Sequence, residues 1–165
     1  MQAGIIVIPL RRPVPTLSHW SGYWAPFDES GASGTQSGND NLILIVEDDL
    51  LIASQMETAL TDAGFEIAGI ASTGEEALHM AQSQSPALAV MDIRLAGDRD
   101  GIDTALELFR SHGIRCIFAS AYSDQEARRR AAPAAPLGWL QKPYSMVSLA
   151  AMVRAAVGEL RSRRE

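Results

Sequence analysis

Cysteine is almost missing from this chain: its 165 residues include one, Cys116. No disulfide can close within the chain, which excludes a small disulfide-stapled scaffold and suits a reducing compartment. Long apolar runs are missing as well. No stretch reaches the roughly 18 consecutive apolar residues of a membrane-spanning helix, so no membrane partner is expected. The apolar residues 5–10 come before Arg11 and Arg12, the reverse of a secretory signal, and the expected location is the cytoplasm. Positive charge is in deficit, with a net charge of −6. A general nucleic-acid binder carries a basic surface, so direct nucleic-acid binding is not expected. Lysine and arginine are absent from Asn41 to Ile93, while twelve follow from Arg94 onward. An acidic first half before a basic second half fits a cation site built from the first. His19, His79 and His112 stand in no ligand spacing and read as surface residues, which argues against a zinc centre.

What is present is apolar material, 47% of the chain, enough for one domain with a real core and some spare length. Residues 1–40 differ from the rest. Pro9, Pro13, Pro15 and Pro26 punctuate them, Trp20, Tyr23, Trp24 and Phe27 sit between, and residues 31–38 have the composition of a flexible linker. This N-terminal extension reads as a flexible segment or as residues upstream of the true translation start. The other reading is a docking segment for a partner or for the domain's own surface. The domain itself is expected over 41–160, with 161–165 a charged tail.

Within it, strand and helix signals alternate. Residues 42–46 are a continuous apolar run, as expected of a strand covered on both faces. Residues 50–63 have helical spacing, with Leu50, Leu51, Met56, Leu60 and Ala63 on one broad side, and Gly64 ends the helix. A second strand runs over 65–70. Ser72 or Thr73 caps the next helix, whose first turn carries Glu75 and Glu76 where the helix dipole favours them. After Pro86 a third strand covers 88–91 and ends at Asp92. A polar loop leads to Gly101 and a helix over 102–112 that stops at Gly113. A fourth strand covers 114–119. Ser123 and Glu126 have the spacing of a capping box for a short helix, which Pro133 and Pro136 work against continuing. A fifth strand covers 137–140, and Ser145 starts a last helix reaching about 160. Five strands alternating with five helices predict a doubly wound, parallel α/β domain.

In such sheets, sites gather beyond the carboxyl ends of the strands. The first strand runs into Glu47 and Asp48, the third ends at Asp92, the fourth runs into Ser120, and the fifth into Lys142. Three carboxylates brought together repel one another unless a cation sits between them. Carboxylates with a backbone carbonyl, most simply that of Arg94, suit Mg²⁺. Lys142 can pair with Asp92 and with the oxygens of a group attached to it, and Ser120 can donate to such an oxygen. That set is what phosphoryl transfer to a carboxylate needs. The plain alternative is an acidic strand edge with an incidental salt bridge. Any one of these residues alone would favour it; all of them at successive strand ends do not.

The residues Ile45-Val46-Glu47-Asp48-Asp49, Met91-Asp92-Ile93-Arg94-Leu95, Asp100-Gly101, Phe118-Ala119-Ser120-Ala121 and Leu140-Gln141-Lys142-Pro143-Tyr144 resemble the receiver domain of two-component response regulators. The resemblance covers about residues 41–160. It implies a CheY-like, five-stranded parallel sheet of order 2-1-3-4-5 with helices on both faces. It implies that Asp92 is the phosphoacceptor, served by a histidine kinase or phosphotransfer protein. Glu47 and Asp48, with Asp92 and the Arg94 carbonyl, would bind Mg²⁺, or Mn²⁺ in its place. Ser120 and Trp139 take the switch positions, the latter usually Tyr or Phe, and Lys142 matches the family's lysine; the other reading of Trp139 is plain edge packing between the fourth and fifth strands. Arg94 and Tyr122 fall where the family tunes loss of the phosphoryl group, and two long side chains there imply slow loss. Two features depart from the common form. The loop from Asp92 to Gly101 is one residue longer, and Ala96 stands where many members have Pro.

The chain stops soon after its fifth helix, and no DNA-binding or catalytic output module is apparent. The resemblance is therefore to stand-alone receivers in bacterial signalling. The expected output is protein binding through the face made by the fourth helix, fifth strand and fifth helix, with a homodimer through that face a further expectation. A phosphate-shuttle or phosphate-sink role would use the same site. A phosphorylation-independent binding module would be expected to lose an acid or Lys142, and neither is lost. A turnover hydrolase would carry a second acid two residues past the nucleophile, where this chain has Arg94. The run Arg128-Arg129-Arg130 reads as a solvated or ion-paired helix face, or else as a contact for an acidic partner or a second copy.

Overall fold

The computed structural model describes residues 39–121 and 125–165. The strands are β1 (Leu42–Val46), β2 (Glu66–Ala71), β3 (Leu88–Asp92), β4 (Arg115–Ser120) and β5 (Gly138–Gln141). The helices are α1 (Leu50–Asp62), α2 (Gly74–Gln84), α3 (Gly101–His112), α4 (Gln125–Ala131) and α5 (Met146–Ser162). They alternate along the chain, and the five strands form one sheet of order β2-β1-β3-β4-β5 with every pairing parallel. This is the expected doubly wound order.

Helices α1, α2, α3 and α5 each start where a side chain can satisfy their free N–H groups. The Asp49 carboxylate accepts from the backbone N–H of Leu51 (2.9 Å) and Ile52 (3.2 Å). Thr73, rather than Ser72, caps α2 by accepting from Glu76 N–H at 3.2 Å. Ser72 instead donates its N–H and hydroxyl to the Glu76 carboxylate. Asp100 accepts from Asp103 N–H at 2.8 Å and Ser145 from Ser148 N–H at 3.0 Å. Gly113 closes α3 at φ 67°, a conformation open to glycine without steric cost. The capping box expected from Ser123 lies outside the described residues. The short fourth helix is as expected: α4 gives way to a single 3₁₀ turn, Ala132–Ala134, with Pro133 in its first turn.

Two apolar layers flank the sheet. One packs Leu44, Val46, Met91, Cys116 and Phe118 against Ile102, Ala105 and Leu108 of α3 and small residues of α2 and α4. The other packs Ile43, Ile45, Val90 and Ile117 against Met56 and Leu60 of α1 and Leu149 and Val153 of α5. Alternate residues of β1, β3 and β4 therefore face opposite layers, which is why these strands read as apolar runs. Burial pushes the Cys116 thiol up to about 12, so it stays a neutral core residue. One expectation is corrected. Ala53, Met56 and Leu60 form the buried face of α1, whereas Leu50 and Leu51 are 75% and 70% exposed. The first turn of α1 stands at the carboxyl edge of the sheet, beyond the layer that would cover it. His79 and His112 are exposed, as expected. Among the described residues no helix is long and apolar enough to cross a membrane.

Candidate functional site

Strand register brings the polar residues to one edge. Val46 lies beside Met91 and Asp92 beside Ala119, while Ser120 lies beside Gln141. The ladder runs one step further at both margins. Glu47 N–H donates to the Ala71 carbonyl at 3.0 Å, and Lys142 N–H donates to the Ser120 carbonyl at 2.7 Å. Glu47 and Lys142 are therefore fixed at the backbone before their side chains do anything. The Lys142-Pro143 peptide is cis.

The Lys142 ammonium lies 2.7 Å from Asp92 Oδ2 and 3.0 Å from Glu47 Oε2. The other oxygen of each acid meets the backbone: Asp92 Oδ1 accepts from Arg94 N–H at 3.2 Å, and Glu47 Oε1 from Asp49 N–H at 3.4 Å. Glu47 is 2% exposed and Asp92 8%, whereas Asp48 is open to solvent. One oxygen from each of Glu47, Asp48 and Asp92 falls within 4.8 Å of the others. All three donors are carboxylate oxygens and one is solvent-facing. That donor set fits a hard divalent cation retaining some water, and does not fit zinc.

Burial pushes the Glu47 carboxyl above its ordinary value, aided by the Asp92 charge and opposed by the Lys142 hydrogen bond. For Lys142, burial works against the charge, but hydrogen bonds to Asp92 and Glu47 outweigh it and hold the ammonium above its ordinary value. Lys142 is thus a fixed cation at neutral pH. A cleft of about 190 Å³ opens beside Asp92, lined by Ile93, Arg94, Ser120, Ala121, Ala127 and Lys142. It holds a carboxylate, an ammonium, a hydroxyl and a loop backbone on one side of the acidic cluster.

The structure brings together Glu47, Asp48, Asp92, Arg94, Ser120 and Lys142 as the sequence suggested. Trp139 does not line the cleft. It stands opposite Phe118 on the neighbouring strand, with ring centroids 4.7 Å apart. Tyr122 lies outside the described residues. Sequence reasoning did not give the contacts that three further residues make here. Gly101 packs its Cα side against the main chain at Asp92 and donates its N–H to the Ile93 carbonyl at 2.9 Å. Ala127 of α4 walls the cleft, and Arg130 ties α4 to Asp100 at 2.7 Å and to Asp103 at 3.3 Å. The Asp100-Gly101 pair was visible as a helix start; its contact with position 92 was not.

Comparison with known proteins places this geometry among relatives. The response regulator receiver domain family matches residues 43–154. The transcriptional regulatory protein PdtaR of Mycobacterium tuberculosis is 34% identical over 119 residues, 72% of this chain and 58% of that protein. The phyllosphere-induced regulator PhyR of Methylorubrum extorquens is 31% identical over 116 residues, 70% of this chain and 43% of its own length. The chain thus spans about half the length of these curated relatives. Among solved structures, the signal receiver domain of a modulated diguanylate cyclase from Desulfovibrio desulfuricans superposes with a TM-score of 0.68 at 32% identity. That match covers 74% of this chain and 97% of the other.

Proposed function

This chain belongs to the response regulator receiver domain family, and on that footing we propose that Asp92 accepts a phosphoryl group from a phosphohistidine and thereby switches a protein-binding surface. The observation that carries the proposal is the Asp92 carboxylate paired with the Lys142 ammonium at 2.7 Å, inside the cluster with Glu47 and Asp48. In the transfer, an Asp92 oxygen forms a bond to phosphorus as the bond from phosphorus to the imidazole nitrogen breaks. The imidazole leaves with the electron pair. Lys142 stays within reach of both the carboxylate and the oxygens of the incoming group, and the Ser120 hydroxyl takes one of those oxygens as hydrogen-bond acceptor. Mg²⁺, or Mn²⁺ in its place, held by Glu47, Asp48, Asp92 and the Arg94 carbonyl, would neutralise charge on the transferred group. Water is the competing acceptor. The exposed Arg94 beside the cleft, in the place where a hydrolase would have an acid, supports slow loss of the phosphoryl group.

The donor is a histidine kinase or a phosphotransfer protein. Leu50, Leu51 and Val147 are large apolar side chains left exposed in the first turns of α1 and α5, Val147 at 79%. They support a protein donor docking at that rim. The output surface is the α4–β5–α5 face, toward a downstream protein or a second copy, and the setting is the bacterial cytoplasm. A phosphate shuttle would use the same acceptor. The domain is assigned to 41–160, after an extension over 1–40.

The test is incubation with acetyl phosphate and Mg²⁺, followed by intact mass. The parent gains the mass of one phosphoryl group, and Asp92→Asn and Asp92→Ala gain none. Equal gain in the two variants would remove Asp92 from the role.

A further inference from the structure

The three consecutive arginines of α4 have three different partners. Arg129 pairs with Glu126 within the helix at 3.5 Å. Arg130 reaches across to Asp100 and Asp103. The Arg128 guanidinium lies over the Trp139 ring, 4.8 Å from its centroid. The same indole is stacked on Phe118, with 24° between the ring planes. Phe118 covers one face of the indole, so the guanidinium takes the other. Trp139 is therefore held between a buried ring of β4 and a cation of α4.

Two further placements connect this sandwich to the cleft. Phe118 and Ser120 are two apart on β4 and share a face of the sheet. Ala127, which walls the cleft, is the neighbour of Arg128 on α4. A group arriving on Asp92 meets Ser120 and the first turn of α4. Either displacement bears on the contact between Arg128 and Trp139.

Resting on the reading of Asp92 as phosphoacceptor, we propose that Arg128 is a positioning residue, a latch that holds Trp139 in the resting state and so sets how readily the phosphorylated state forms. Trp139 stands outside the cleft beside Asp92, seated on Phe118, and a swing of its ring toward the cleft would leave the Arg128 guanidinium. An interaction made in one of two states biases the equilibrium toward that state, so removing it favours the other. An exposed cation over a half-buried tryptophan shifts an equilibrium constant by about two- to five-fold. That is enough to set a threshold and too little to lock the switch.

The test uses the full chain with Trp20 and Trp24 replaced by Phe, which leaves Trp139 as the sole tryptophan. Four proteins are compared: this parent, R128M, R128K and R129Q. Each is titrated with beryllofluoride and Mg²⁺ while Trp139 emission is followed, and phosphorylation by acetyl phosphate is timed by intact mass. R128M is expected to differ from the parent in resting emission and to respond at about two- to five-fold lower beryllofluoride. R128K falls between the two, because it keeps a cation, and R129Q matches the parent. If R128M titrates like the parent with unchanged resting emission, or needs more beryllofluoride, the latch is wrong and the phosphoacceptor reading stands. A parent that gains phosphoryl mass with no change in emission also overturns the latch. A parent that gains no mass and shows no beryllofluoride response removes the phosphoacceptor reading, and the latch with it.

Discussion

A β-carbon at position 101 would occupy the space of the Asp92 carbonyl oxygen and crowd Ile93 Cα. The obstacle is backbone at the end of the strand that carries the acceptor, so it cannot rotate away as a flexible side chain would. Gly138 makes the contrast, since a β-carbon there meets Met152 Sδ at 2.8 Å, and a thioether can move. We expect Gly101→Ala to cost about 3 kcal/mol in urea unfolding, at the upper end of overpacking, and Gly138→Ala about 1 kcal/mol. Gly101→Ala should also lose phosphorylation by acetyl phosphate while still folded, because the Asp92 main chain has to shift. Full activity in that variant would show that position 92 tolerates movement.

Helix starts carry much of the order around the cleft. Asp100 caps α3 and receives Arg130 from α4, so it joins two helices next to the acceptor strand. Burial raises its pKa, but the Asp103 N–H and the Arg130 guanidinium outweigh this and hold the carboxyl below its ordinary value. A depressed carboxyl contributes stability above its unfolded pKa and loses it as pH falls through the folded value. Asp100→Asn keeps a capping oxygen and removes the charge. Asp100 is partly exposed and screened, so the variant should be less stable by about 0.5 kcal/mol near neutral pH. The difference should vanish well below the ordinary aspartate value of about 3.9. Urea midpoints across pH check this, and a gap that persists in acid would assign the effect to packing. The first turn of α1 carries a different prediction. Leu51 is exposed and makes no part of the buried face of its helix. Leu51→Lys should slow phosphorylation by a protein donor at least about ten-fold, the loss of roughly 1.4 kcal/mol of docking energy. It should leave the rate with acetyl phosphate unchanged.

Taken as a body, the domain has a net-acidic edge whose charge repulsion a bound divalent cation would relieve. Mg²⁺ that binds only the folded form raises its stability by RT ln(1 + c/Kd), where c is the free Mg²⁺ concentration. At ten times its dissociation constant the gain is about 1.4 kcal/mol. We expect a matching rise in melting temperature on adding Mg²⁺, reduced in Asp48→Asn, whose exposed carboxylate is replaced without disturbing the buried pair of Glu47 and Lys142. A rise of equal size in both would place the cation elsewhere.

Much of the fold was legible from local chemistry. Unbroken apolar runs ending in Glu47, Asp92 and Ser120 marked strands covered on both faces, and the glycines and capping residues marked the helix ends between them. The acid cluster and Lys142 were legible too, because parallel strands must present their carboxyl ends at one edge wherever they lie in the sheet. The inward face of α1 was only half legible. Periodicity grouped Leu50 and Leu51 with Met56 and Leu60, but burial depends on whether another layer reaches that turn. Packing of Trp139 between the fourth and fifth strands was one expectation, and its contact with Phe118 agrees with it; the Arg128 guanidinium over the ring was not legible at all. A ring contact is set by strand register and by the distance at which a helix packs, and neither leaves a signal in residue order. The same holds for Gly101 against the Asp92 carbonyl. The chemistry of this site follows from residue types at strand ends, whereas the contacts that hold and bias it follow from how closely α3 and α4 pack on the sheet.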